Sequence, residues 1–231
     1  MTTPGDPARP ASSRGVFLLA GPSSSGKGTV ARALLARGLV HSHVSMGQLL
    51  RDIVATTRRD RVQRAEVNAE LRALLPDGAR DPLGEVERCM GAGLLIPNVW
   101  TQHLISRQLR ESLTLQQGRW LLDGYPRRVV VARHLLTTLQ ALDLPVLKVV
   151  HLNIDAAEQA RRSLARRRDD DSPEAIARRW AIYEQEVLPT IAFLRGALPP
   201  GTVCDIDAST PGMTVADGER ELTARVLSAL L

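Results

Sequence analysis

The residues best equipped for chemistry in this chain are a lysine in a glycine-rich turn, an aspartate at the end of an apolar run, and arginines that recur near both. The stretch GPSSSGKGT, Gly21 to Thr29, follows the apolar run GVFLLA. A strand that ends in glycine and turns into a helix leaves several backbone N–H groups aimed into one concave space. That space suits phosphate. Glycines at 21, 26 and 28 permit positive φ and close approach, and a helix starting near Lys27 adds its N-terminal dipole. Lys27 then sets a full charge against the β and γ oxygens of a nucleotide, while Thr29 offers a hydroxyl to phosphate or to a magnesium-bound water. The spacing of Gly21, Gly26 and Lys27 is that of a P-loop, except that Gly28 stands where Ser or Thr is usual and the hydroxyl moves to Thr29.

A second signal lies at WLLDGYPRR, Trp120 to Arg128. An apolar strand there delivers Asp123 to the carboxyl edge of a sheet, beside the turn after the first strand, where a carboxylate can orient the water shell of Mg²⁺. Arg127 follows in a stiff turn and is placed to reach a second phosphate.

Positioning these groups requires a parallel sheet. Short apolar runs (GVFLLA, LVHSHVS, RWLLDG, VLKVVHLNI and TVCDID) alternate with longer segments of helical period, the pattern of βα units. Most runs are apolar on both faces, as buried parallel strands should be. The expected fold is therefore α/β, a five-stranded parallel sheet of P-loop type flanked by helices. In helix 27 onward, Val30, Leu34 and Leu35 are expected to face inward. Between the second and third runs, residues 45–100 read as a helical insertion broken at LLPDGARDPLG. Near the other end, Ile176, Trp180, Tyr183, Val187, Ile191 and Leu194 recur at helical spacing as core, with Ser172 or Asp171 as cap. Residues 1–14 read as a solvated leader, leaving 15–231 as one domain.

Composition narrows the partners. The chain has 231 residues, 44% hydrophobic and only 3% aromatic, so Leu, Val, Ile and Ala must fill the core. A net charge of +5 rests on arginine, Lys27 and Lys148 being the only lysines. The arginine runs lack the interleaved aromatics of a nucleic-acid surface, no apolar stretch is long enough to span a bilayer, and Cys89 and Cys204 stand apart. A cytoplasmic, monomeric chain without nucleic-acid, membrane or zinc partners is the expectation. His41 and His43 read as strand-surface residues and Cys89 as half-buried.

Taken in order, these motifs resemble the adenylate kinase family of nucleoside monophosphate kinases, short-lid type, from about Val16 onward. GPSSSGKGT is close to that family's GPPGSGKGT, VSMGQLLR to STGDLLR, GLLIP to GKLVP, and LLDGYPR to LLDGFPR, while ARRSLARRRDDDSPEAIARRW is similar to the flanks of its lid. The resemblance implies ATP and Mg²⁺ as cofactors. It places ATP on Gly21, Ser24, Ser25, Gly26, Lys27, Gly28, Thr29 and Arg162, the last also stacking on adenine. It places a nucleoside monophosphate on Ser45, Met46, Arg51, Ile96, Gly124, Arg127 and Val131. Metal, through water, falls to Thr29 and Asp123. Catalytic cations are Lys27, Arg127, Arg162, Arg166, Arg168 and Arg179, the last three near a much reduced lid at 162–179.

The chemistry implied is γ-phosphoryl transfer from ATP to a monophosphate, AMP by default. Three departures fall on the acceptor side: Met46 for Thr, Gln48 for Asp, and Val131 for the Gln that reads the base edge. They leave open a pyrimidine or modified monophosphate as acceptor, or an ATP-binding assembly protein that has lost catalysis.

Overall fold

The computed structural model describes residues 14–115, 118–166, 168 and 170–230, so the expected leader lies outside the described residues apart from Arg14. Five strands, β1 (Gly15–Ala20), β2 (Ser42–Ser45), β3 (Arg119–Asp123), β4 (Val146–Asn153) and β5 (Val203–Asp207), make one sheet in the order β2-β3-β1-β4-β5. Every pairing is parallel. The five apolar runs are these strands, with β2 starting three residues later than its run.

The helices are α1 (Lys27–Ala36), α2 (Met46–Arg59), α3 (Arg61–Leu74), α4 (Pro82–Ala92), α5 (Asn98–Leu115), α6 (Val129–Ala141), α7 (Ala156–Arg166), α8 (Pro173–Ile182), α9 (Leu188–Ala197) and α10 (Val215–Leu230). Local chemistry sets several of their ends. Asp60 caps α3 by accepting from Val62 N and Gln63 N at 2.9 and 3.0 Å. Pro82 opens α4, and Ser172 caps α8 by accepting from Ala175 N at 3.2 Å, ahead of Pro173. Between α8 and α9 the chain widens into a π turn, Tyr183–Val187. Pro189 follows directly and has no N–H to return to the carbonyl one turn earlier, so the regular ladder breaks there.

β1 buries both its faces. Val16 and Leu18 pack with Leu122, Val149 and residues of α2, α4, α5 and α6, while Phe17 and Leu19 pack with Leu121, Val150, Val30 and Leu34 of α1, and Leu222 and Val226 of α10. Leu35, expected inward, instead faces solvent, because α1 is covered along a stripe that only Val30, Ala31 and Leu34 share. Of the six positions expected as core between Ile176 and Leu194, five are buried and Trp180 is half-buried. Cys89, expected half-buried, is fully enclosed on α4.

Register brings the chemistry together. Leu19 on β1 and Ser45 on β2 both pair with Asp123 on β3, and Gly124 N donates to Leu19 O at 3.0 Å. The carboxyl ends of three adjacent strands thus finish level, at the point where the order of strands reverses, which is where open α/β sheets bind ligands.

Candidate active site

The turn after β1 wraps a concave space. Gly21 has φ +141°, and a Cβ there would lie 2.5 Å from Leu152 O; Gly26 has φ +93° and its added Cβ would strike Leu222. Both positions therefore exclude side chains. Gly28, expected to need a positive φ, lies instead within α1 in ordinary helical conformation, and its missing side chain keeps the helix N-terminus open. Ser24 takes the left-handed conformation without being glycine, φ +60°, and its Oγ meets Ser163 Oγ at 2.9 Å. Ser23 Oγ accepts from Gln159 Nε2. Two buried side chains of α7 thereby brace the loop.

Lys27 Nζ donates to Pro22 O at 2.7 Å and to Gly21 O at 3.0 Å. Enclosure by the protein lowers its pKa to about 8 against the pull of Asp123, and Arg127, Arg166 and Arg168 push it the same way. A lysine whose charge is so disfavoured gains most from a polyanion, which strengthens its hold on the proton and offsets the arginines' repulsion.

Asp123 is buried, and enclosure alone would raise its pKa. Contacts with His43, Lys27 and Ser45 outweigh this and hold it below the ordinary value. His43 Nε2 lies 3.5 Å from Asp123 Oδ2. His43 was expected on the strand surface; the parallel register of β2 on β3 turns it toward the site. Asp123 Oδ1 is buried with no hydrogen-bond partner among the described residues. A buried, ionised, half-satisfied carboxylate at the mouth of a phosphate loop fits a hydrated cation. Among the described residues no three His, Cys, Asp or Glu side chains cluster to hold a metal outright. A Mg²⁺ here would be held through phosphate and water, with Asp123 behind them. Thr29, the other expected metal residue, is engaged elsewhere: its hydroxyl donates to Glu219 Oε1 at 2.7 Å.

The arginines surround the same space. Arg51 Nη2 and Nε donate to Gln48 Oε1 at 3.0 and 3.3 Å, so the residue that departs from the family pattern orients the guanidinium one turn on. Arg127 Nε donates to Gly124 O at 2.9 Å. Arg166 clasps Asp171 with both arms, and Arg179 reaches Asp171 at 2.5 Å and Asp170 at 2.7 Å. Arg162 bonds Glu158, Ala208 O and Thr210 Oγ1. Enclosure is the main cause lowering the pKa values of Arg51, Arg127 and Arg168; beyond it, Arg166 and Arg179 act on Arg51, Arg51 and Arg179 on Arg127, and Arg51 and Arg166 on Arg168. Such crowding is unfavourable unless an anion enters.

All of this opens onto one cleft of about 860 Å³. Every expected site residue lines it except Ser25, whose side chain is fully buried behind the loop. Ser45, Met46, Ile96, Gly124 and Val131 line the cleft, as do Thr29, Arg162, Thr210 and Leu222. Sequence reasoning missed His43, Gln159 and Ser163, whose roles depend on partners far along the chain, and Asp170 and Asp171, which pair with arginines five to nine residues away. Only the pairing of β2 with β3 could have pointed to His43.

A phosphate loop after the central strand, an acidic residue on its neighbour and cations on both walls define a P-loop phosphotransferase for two polyanions. A family model for adenylate kinase matches residues 19–197, and the chain belongs to that family. It is 37% identical over 181 residues to an adenylate kinase of Parasynechococcus marenigrum (strain WH8102), covering 78% of this chain and 84% of the relative. To an adenylate kinase of Synechococcus sp. (strain RCC307) it is 35% identical over 177 residues, 76% and 81% of the two chains. Another, from Cyanothece sp. (strain PCC 7425 / ATCC 29141), is 28% identical over 215 residues, 91% and 92% of the two. The chain is thus an ATP-dependent nucleoside monophosphate kinase that works with ATP and Mg²⁺.

Proposed function

We propose that AMP is the preferred acceptor and that this cleft joins it to ATP end to end. A phosphate oxygen of AMP attacks the γ-phosphorus of ATP, an O–P bond forms, the bond from that phosphorus to the bridging oxygen breaks, and the electron pair leaves with the β-phosphate, giving two ADP. The observation that carries this reading is the electrostatic coupling of Arg127 to both Arg51 and Asp123, with Lys27 beside the same carboxylate. Donor-side and acceptor-side cations therefore share one enclosed space.

In this reading Lys27 and the loop N–H groups hold the donor, Arg51 and Arg127 the acceptor phosphate, and Arg162, Arg166, Arg168 and Arg179 the group in transfer. Guanidinium suits the task because its planar fork binds phosphate oxygens in pairs and stays charged when enclosed. Mg²⁺, when bound, offsets negative charge on the β and γ phosphates. No strong base is needed, since the acceptor phosphate is already a nucleophile near neutral pH. Residues 45–100 act as the arm that carries the acceptor, and 162–179 as the reduced lid. Monomeric action in the cytoplasm belongs to the same proposal and rests on composition; among the described residues no helix is long and apolar enough to cross a membrane.

Family membership favours this over a pyrimidine acceptor or a degenerate assembly protein. Val131 still lines the acceptor wall, buried and apolar, where an amide would read adenine. A coupled assay of diphosphate formation across AMP, GMP, CMP, UMP and dTMP tests the reading: AMP is expected to be the best acceptor, and a better rate with any other base would overturn it.

A further inference from the structure

The donor wall carries a carboxylate that phosphate binding does not explain. Glu219 sits in the first turns of α10, beyond the segment matched to the family. Its Oε1 accepts from Thr29 Oγ1 at 2.7 Å and from Arg32 Nη2 at 3.2 Å, and it lines the cleft. A negative charge at the lip of a phosphate cradle is unfavourable for binding triphosphate, so its place there calls for a compensating use.

Its neighbours indicate one. Gly218, just before it, packs so tightly on the loop after β5 that an added Cβ would lie 2.7 Å from Thr210 Oγ1. That same Thr210 hydroxyl accepts from Arg162 Nη2 at 3.1 Å. Thr29, Glu219, Gly218, Thr210 and Arg162 therefore form a continuous wall running from the N-terminus of α1 to Arg162, which the family resemblance also sets against the adenine. A nucleotide laid along that wall presents its sugar midway, opposite Glu219. Ribose differs from the groups on either side in having two neighbouring hydroxyl donors, and a carboxylate is an acceptor-only partner that can receive both. Among the described residues Oε2 of Glu219 accepts no hydrogen bond, and Arg32 offsets the charge from the solvent side at 3.2 Å.

We propose that Glu219 recognises the ribose 2′ and 3′ hydroxyls of the donor nucleotide, making it a specificity-determining residue for ATP over deoxy donors. This rests on the reading of the cleft as an ATP site, and on the donor lying along α10. Glu219 is half-exposed and alanine favours helix, so Glu219→Ala is expected to fold; its melting temperature is checked against the parent.

The test compares ATP, 2′-deoxy-ATP and 3′-deoxy-ATP as donors to AMP, by kcat/KM and independently by calorimetric binding without acceptor. The parent should favour ATP over at least one deoxy analogue by about tenfold or more, the usual size for losing a hydrogen bond to a charged partner. Glu219→Ala should narrow that ratio to within about twofold with KM for AMP unchanged, and Glu219→Gln, which keeps an acceptor oxygen, should retain part of it. Equal use of the three donors by the parent, or undiminished discrimination in Glu219→Ala, overturns the proposal. A parent that binds ATP selectively but transfers nothing to any monophosphate would instead defeat the kinase reading, leaving the binding ratios to decide the role of Glu219.

Discussion

Arg166 grips Asp171 through both arms of its guanidinium, at 2.9 and 3.1 Å to the same carboxylate oxygen, on a side chain only 1% exposed. Arg179 reaches the other oxygen of that carboxylate at 2.5 Å. One buried anion therefore holds two arginines that line the cleft.

Removing that anion leaves Arg166 without its carboxylate partner and Arg179 with that of Asp170 alone. Asp171→Ala is expected to lower stability by about 1–3 kcal/mol and kcat by at least about tenfold, since Arg166 loses both partner and aim. Thermal melting and steady-state rates measure the two effects. Unchanged values for both would show that the clasp positions nothing.

Lys27 and Arg127 are both coupled electrostatically to Asp123, and the proposed function gives them the charge of the transfer step. Alanine at either position is expected to cost at least about 10²-fold in turnover while leaving the fold intact, the usual scale for removing a preorganised charge from a transition state. Near-normal rates in either variant, with a native circular dichroism spectrum, would refute the placement of that residue.

The depressed pKa of Lys27, about 8 in the free protein against 10.5 for an ordinary lysine, gives a pH signature. kcat/KM for ATP reports the free protein and should fall as pH rises through about 8, while kcat, measured with the triphosphate bound, should fall later. Lys27→Arg, which stays charged, should lose the descending limb even if its rate is lower. Stability moves the other way: the unfolded chain keeps this proton up to about 10.5, so the unfavourable contribution is fully present below about pH 8 and fades as pH rises between the two values. A flat kcat/KM from pH 7 to 9.5 would contradict the assignment.

Val131 is buried in the wall of the cleft, one turn along α6 from Arg128, where the proposed function places the acceptor base. Arg128 bonds Glu186 at 3.1 Å and Asn98 at 3.3 Å, so polar groups border a pocket whose centre is apolar. Val131→Gln is expected to sharpen the preference for AMP over the other monophosphates by about tenfold, because a buried amide penalises every base that leaves it unpaired. A specificity profile identical to the parent's would show that position 131 does not face the base.

Much of this site could be read along the chain because it is local. The phosphate loop, its lysine and the Asp123–Arg127 turn each lie within nine residues, and the strands that carry them are short, apolar and separated by helical spacing. What could not be read depends on register and distant pairing. His43 gains its place only because β2 lies parallel to β3 and level with Asp123, and Thr29 turns to Glu219 because α10 returns across α1 from 190 residues away. The bracing of Ser23 and Ser24 by Gln159 and Ser163 is hidden for the same reason. Leu35 failed differently: periodicity marks an apolar stripe but does not say how wide a strip the neighbouring sheet will cover.

The most direct measurement is calorimetric titration with a bisubstrate ligand, two adenosines joined by a five-phosphate bridge, in the presence and absence of ATP and of AMP. If both nucleotides meet in the cleft between Lys27 and Arg51, one molecule binds per chain, far more tightly than either nucleotide, and each nucleotide competes with it. Binding no tighter than ATP alone, with AMP failing to compete, would contradict the account.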